Sequence, residues 1–148
     1  MDGKIMMPIY QGVDGSRHVV AADWRVWGDL PDGRRFSITV RRGFEFDGAS
    51  IPRFLWRLCG HPMEVPRIAA ALAHDWLYAS HACDRATADL VFREICRAVG
   101  VGRFRRFVEY RVLRLCGDAA WRGHGPKDQE TAWHRGNISI NNKDNKEE

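Results

Sequence analysis

Apolar and polar positions change period near residue 50. Before it they alternate. In the run 35–41, Phe36, Ile38 and Val40 share one face against Ser37 and Thr39, and Trp24 and Val26 oppose Arg25 and Trp27. Alternation of this kind, in β-branched and aromatic residues, is the pattern of half-buried strands. Pro31-Asp32-Gly33 between the two runs reads as a turn, because proline presets its first corner and glycine relaxes the second. Met6 to Tyr10 and His18 to Ala21, separated by the turn-rich stretch 12–16, add two shorter runs. A small N-terminal antiparallel sheet follows.

After residue 50 the period is helical. Ser50 reads as the cap of a short helix, Ile51 to Leu58, with Pro52 in its first turn. Pro66 opens a second helix that runs to about Ser80. Asp84 caps a third, Arg85 to Val99, which Gly100 ends. A fourth spans about Gly102 to Trp121, with Phe104, Val108, Val112, Leu115 and Ala119 as its apolar stripe. Beyond that the pattern dissolves, and residues 123–148 read as a polar, loose tail with too little apolar surface to offset ordering entropy. Strands followed by three or four helices predict a single α+β domain over residues 1–122.

Length and composition narrow the class. A chain of 148 residues, 45% hydrophobic, supports one core. No apolar run reaches the roughly 18 residues that span a bilayer, and Met1-Asp2-Gly3-Lys4 lacks the pattern of a signal peptide. A cytoplasmic protein with reduced thiols is expected. Cys59, Cys83, Cys96 and Cys116 form no C-x-x-C pair, which removes zinc-ribbon readings. Cys96 and Cys116 fall at helix positions expected to pack in the core. The net charge of +4 is a weak electrostatic case for nucleic acid.

The candidate chemistry begins in the second helix. From Ile68 to Ala79 only His74 and Asp75 interrupt apolar and aromatic residues. A helix hydrophobic on all sides is buried, and a buried carboxylate or imidazole is costly unless paired, hydrogen-bonded or metal-bound. The loop Gly43 to Pro52, which carries Asp47, joins the sheet to the helices, where functional groups concentrate; Asp47 equally suits a structural turn.

Three stretches together carry a resemblance: Phe46-Asp47-Gly48-Ala49-Ser50-Ile51-Pro52, His74-Asp75-Trp76-Leu77-Tyr78, and Arg85-Ala-Thr-Ala-Asp89-Leu-Val-Phe92. In order and spacing they resemble the family named domain of unknown function 1353, over about residues 5 to 121. The resemblance implies an origin in a bacteriophage or prophage, hence in a bacterial host cell. It marks Asp47, His74, Asp75, Arg85 and Asp89 as family-type polar positions and supplies no reaction.

Two functions remain open from the residues. In the first, Asp47, His74 and Asp75, with Asp89 or His81 in support, hold a divalent Zn, Mn or Fe ion that activates water in a hydrolase. Neighbouring residues on a helix point about 100° apart, which stands against His74 and Asp75 sharing one ion. Their structural alternative is a buried polar network. A nucleophile reading of Ser50 lacks a G-x-S-x-G elbow. In the second, Arg103, Arg106, Tyr110, Arg114 and Trp121 form one helix face that binds a host or virion protein, or less favourably nucleic acid. That face also reads as an ordinary solvated surface with arginine stems over apolar neighbours.

Overall fold

The computed structural model describes residues 5–14, 17–47 and 67–142. Six strands and five helices lie within them, an α+β fold. Strands β1 (Tyr10–Asp14), β2 (Arg17–Val20) and β5 (Glu45–Phe46) make one antiparallel sheet in the order β1-β2-β5. Strands β3 (Trp24–Asp29), β4 (Arg34–Val40) and β6 (Gly136–Asn142) make the other, with β4 central. The β3–β4 register pairs Val26 with Ile38 and Trp24 with Val40. The alternating pattern therefore turns Trp24, Val26, Phe36, Ile38 and Val40 to one buried face. Gly33, at φ 89°, supplies the left-handed corner of the connecting turn.

The helices are α1 (Ile68–Ser80), α2 (Arg85–Ala98), α3 (Arg103–Cys116), α4 (Asp118–Arg122) and α5 (Pro126–Trp133). Every residue of α1 except Asp75 is buried, as its uniformly apolar sequence predicts. Asp84 stands at the N-cap of α2 in an extended conformation but makes no side-chain capping bond. Gly100, at φ 90°, leads the chain out of that helix. Ile68, Leu72, Trp76, Val91 and Ile95 join the inner sheet face in one core. Cys96 is buried there, whereas Cys116 is exposed, correcting its expected core position.

Two departures from the sequence reading matter. The expected helix from Gly102 to Trp121 is divided at Gly117. A Cβ there would lie 2.5 Å from both the Leu113 carbonyl and the Tyr78 hydroxyl, so glycine alone permits this close approach. The second departure is the loose tail, which residues 126–142 correct. Pro126–Trp133 is helical, and Gly136–Asn142 pairs with β4 along its whole length, Ile140 against Phe36 and Ile138 against Ile38. Trp76 donates its indole N–H to the Ala132 carbonyl (2.9 Å) and Trp133 to the Ser80 carbonyl (3.1 Å), tying α5 to α1. The expected helix from Ile51 to Leu58, with its Ser50 cap, lies outside the described residues.

Candidate functional site

The polar residues of the apolar helix separate into two places. His74 points into the interior, where α2 brings Asp89 to meet it. His74 Nε2 lies 2.8 Å from Asp89 Oδ1. A carboxylate can only accept, so that nitrogen carries the hydrogen. The Tyr78 hydroxyl donates to the same oxygen at 2.7 Å, and Arg114 donates to Oδ2 at 2.7 Å. Arg85, one turn before Asp89 on α2, holds its guanidinium 3.6 Å from Oδ2. It also donates to the carbonyls of Leu113 and Arg114, placing positive charge at the C-terminal end of α3. Asp89 and His74 are 0% and 1% exposed. Burial alone would raise the Asp89 carboxyl, but the bonds from His74, Tyr78 and Arg114 outweigh it and hold the group below the usual carboxylate range. Burial, then the hydrogen bond to Asp89 and the charge of that carboxylate, pushes the Tyr78 hydroxyl up, which keeps it a donor. The network is a satisfied polar core around one carboxylate.

A second buried pair escaped the sequence reading. Arg67 Nη2 and Glu109 Oε1 approach to 2.6 Å with both side chains almost wholly enclosed. Arg105 adds a contact at 3.8 Å. The signal was present: Arg67 directly precedes the apolar helix, and Glu109 is the sole acid of Arg103–Cys116. Burial, then the Glu109 charge, raises the Cys96 thiol nearby.

These two pairs set the roll of α3. Glu109 must face Arg67 and Arg114 must face Asp89, so Leu113 and the side chains flanking it turn inward. Arg106 bonds the Val101 carbonyl at 2.6 Å, and the Arg93 guanidinium lies 4.8 Å from the Tyr110 ring centre. Trp121 stacks on His81, centroids 3.8 Å apart. Within the expected partner face, Arg106, Tyr110, Arg114 and Trp121 are engaged within the protein, and Arg103 alone of the five is exposed. Of the expected apolar stripe, Val112 packs against the core, whereas Phe104 and Leu115 lie outside with Phe107 beside them. Phe104, Phe107 and Leu115 are 76%, 61% and 76% exposed.

Asp75 faces the other way. Its Oδ2 accepts the backbone N–H of Asp47 at 3.2 Å, beside a cleft of about 390 Å³ whose lining includes Arg17, Glu45, Asp47, Asp75, Tyr78 and His124. Arg17 bridges Glu45 at 3.6 Å. Two motif positions, Asp47 and Asp75, therefore meet at the cleft, and three others, His74, Arg85 and Asp89, meet in the interior. Tyr78 touches both.

This division separates the residues of the expected metal set, Asp47 and Asp75 at the cleft and His74 and Asp89 in the interior. Among the described residues no three His, Cys, Asp or Glu side chains gather as a metal ion requires. The reason is the angular step of the helix, which sends adjacent His74 and Asp75 to different surroundings. Nor does His81 complete a shell: its Nε2 donates to the Trp121 carbonyl at 2.9 Å and its Nδ1 accepts from Gln129 at 3.2 Å.

The fold and these sites define a small α+β protein with a buried carboxylate hub beneath an acidic-walled cleft. Residues 21–113 match the profile of a family described as a protein of unknown function, DUF1353, and the chain belongs to that family. The match takes in Asp47, His74, Asp75, Arg85 and Asp89 and stops within α3. No curated protein and no solved structure matches the chain.

Proposed function

We propose that this chain is a binding module of phage or prophage origin that docks a host or virion protein through the outward face of α3. The observation that carries this reading is the exposure of Phe104, Phe107 and Leu115 on one helix. Large apolar side chains grouped on a surface mark interaction sites more often than chance. Covering each contributes roughly 1.5–3 kcal/mol. The phage origin rests on the three-motif resemblance, and the His74–Asp89 bond serves stability in this reading. Selection of a displayed library of helical peptides on the wild-type protein, counter-selected on Phe107→Ser/Leu115→Ser, tests it. Peptides that hold the wild type at least tenfold more tightly are expected; equal retention by both removes the docking face.

The cleft favours a second reading, because Asp47 and Asp75 meet there on the wall of an open pocket. Asp75 would act as acid or base toward a polar substrate. Hydrolase activity lost in Asp75→Asn with unchanged melting would establish it, and full activity in that variant would end it.

A further inference from the structure

The docking face is not purely apolar. On a helical projection Phe107, Arg111, Phe104, Leu115 and Val108 follow one another across about 100°, so Arg111 lies inside the apolar arc. Its neighbours three or four positions away are Phe107, Val108, Arg114 and Leu115, none of them acidic. Arg103 borders the same arc. Neither Arg103 nor Arg111 has an ion-pair partner among the described residues. Glu109, the one acid of this helix, is fully buried, and Asp118 on α4 is held by Arg122 at 2.9 Å.

These facts constrain whatever covers the face. A partner that buries Phe107 and Leu115 together must also cover the guanidinium of Arg111, which sits between them. A charge taken from water without a counter-charge is strongly unfavourable. This chain offers no carboxylate on the exposed arc, so a second copy seated on the same face would add arginine to arginine. We infer that the partner is an acidic amphipathic helix: an apolar seam that covers Phe104, Phe107 and Leu115, with one carboxylate meeting Arg111 and another meeting Arg103. Those two arginines are eight residues apart, roughly 12 Å along the axis, so the partner's acids recur at about two helical turns. An apolar groove-and-ridge contact with flanking charges is a common mode of helix recognition. The inference rests on the reading of α3 as a docking face.

The same displayed library, read for composition, tests it. Enriched peptides should pair an apolar i, i+3 or i+4, i+7 seam with Asp or Glu, and synthetic copies should bind more weakly as salt rises. Arg103→Glu/Arg111→Glu should weaken them about tenfold or more, with Lys-for-Glu peptides regaining affinity for that variant. Enriched peptides that are neutral or basic, or affinities indifferent to the charge reversal yet lost in Phe107→Ser/Leu115→Ser, would overturn the acidic partner and leave the docking face standing. No selection of wild type over Phe107→Ser/Leu115→Ser removes both. Sedimentation of the protein alone and flotation with vesicles of anionic phospholipid cover the other occupants; dimers or membrane binding lost in Phe107→Ser/Leu115→Ser would replace the helix by a second copy or a lipid surface.

Discussion

Asp89→Ala loses about 3–5 kcal/mol of stability, read as a lower urea midpoint, because removing one member of a buried charged cluster strands the others. Of its partners, Arg114 is partly exposed and can turn its guanidinium to water. His74 and Tyr78 cannot, since both lie 1% exposed, and they carry most of the penalty. Against a total of about 5–15 kcal/mol for a domain of ordinary size, such a loss leaves the variant marginal. The pH dependence carries a sign. The folded Asp89 carboxyl is held below its ordinary value, so its stabilising contribution is complete above the unfolded pKa of about 4. That contribution is lost as pH falls through the folded pKa. The Asp89 share of the gap between wild type and Asp89→Ala should thus be complete from about pH 5 upward and narrow below about 4. Unchanged stability at pH 7 would mean that the hub is not structural.

A chain ending at Arg135 should fail to fold cooperatively. Without β6 the sheet is the β3–β4 hairpin alone, and an isolated two-stranded hairpin is marginal in water. Phe36, Ile38 and Val40 lose the strand that covers one side of them. The junction is tightly built: a Cβ at Gly136 would stand 2.5 Å from the Trp76 ring and 2.6 Å from the Thr39 carbonyl. Loss of the near-ultraviolet circular dichroism of the tryptophans, with aggregation in sedimentation, is the expected result. A truncated chain with the full-length melting transition would restore the view of this segment as a loose appendage.

That view arose because β6 shows little in the sequence by itself. Asn137-Ile-Ser-Ile-Asn alternates, but two isoleucines among asparagines fall short of a strand pattern. An edge strand needs few apolar residues when its neighbour supplies both the ladder and most of the buried surface, as β4 does. The short helix α5 is likewise weakly patterned. It is fixed by tryptophans on both sides of the contact, which no local window joins.

The candidate site was half legible. His74, Asp75, Asp47 and Asp89 stood out because charge in an apolar context is improbable unless it is satisfied. Which of them meet was not visible. His74 finds Asp89 fifteen residues away and Asp75 finds the Asp47 backbone twenty-eight residues back, separations set by the packing of α1 against α2 and β5.

What the sequence by itself determined is the class of structure and its chemistry-bearing residues. Period-2 runs built β3 and β4, and the uniform apolarity of Ile68–Ser80 buried α1. Both follow from local rules, in which each residue's neighbours are enough to say which face is wet. The orientation of α3 was decided only by tertiary structure. Its sequence carries two stripes at helical spacing, one apolar and one of arginine with tyrosine, and burial of the apolar stripe is the natural local choice. The fold turned that choice over, since Arg67 on one side and Asp89 on the other are buried and need Glu109 and Arg114. Leaving Arg67 without Glu109, together with Asp89 without Arg114, costs more than exposing Phe104 and Leu115 to water. The roll of that helix, and with it the apolar arc around Arg111, therefore follows from residues on other elements, which no pattern within Arg103–Cys116 contains.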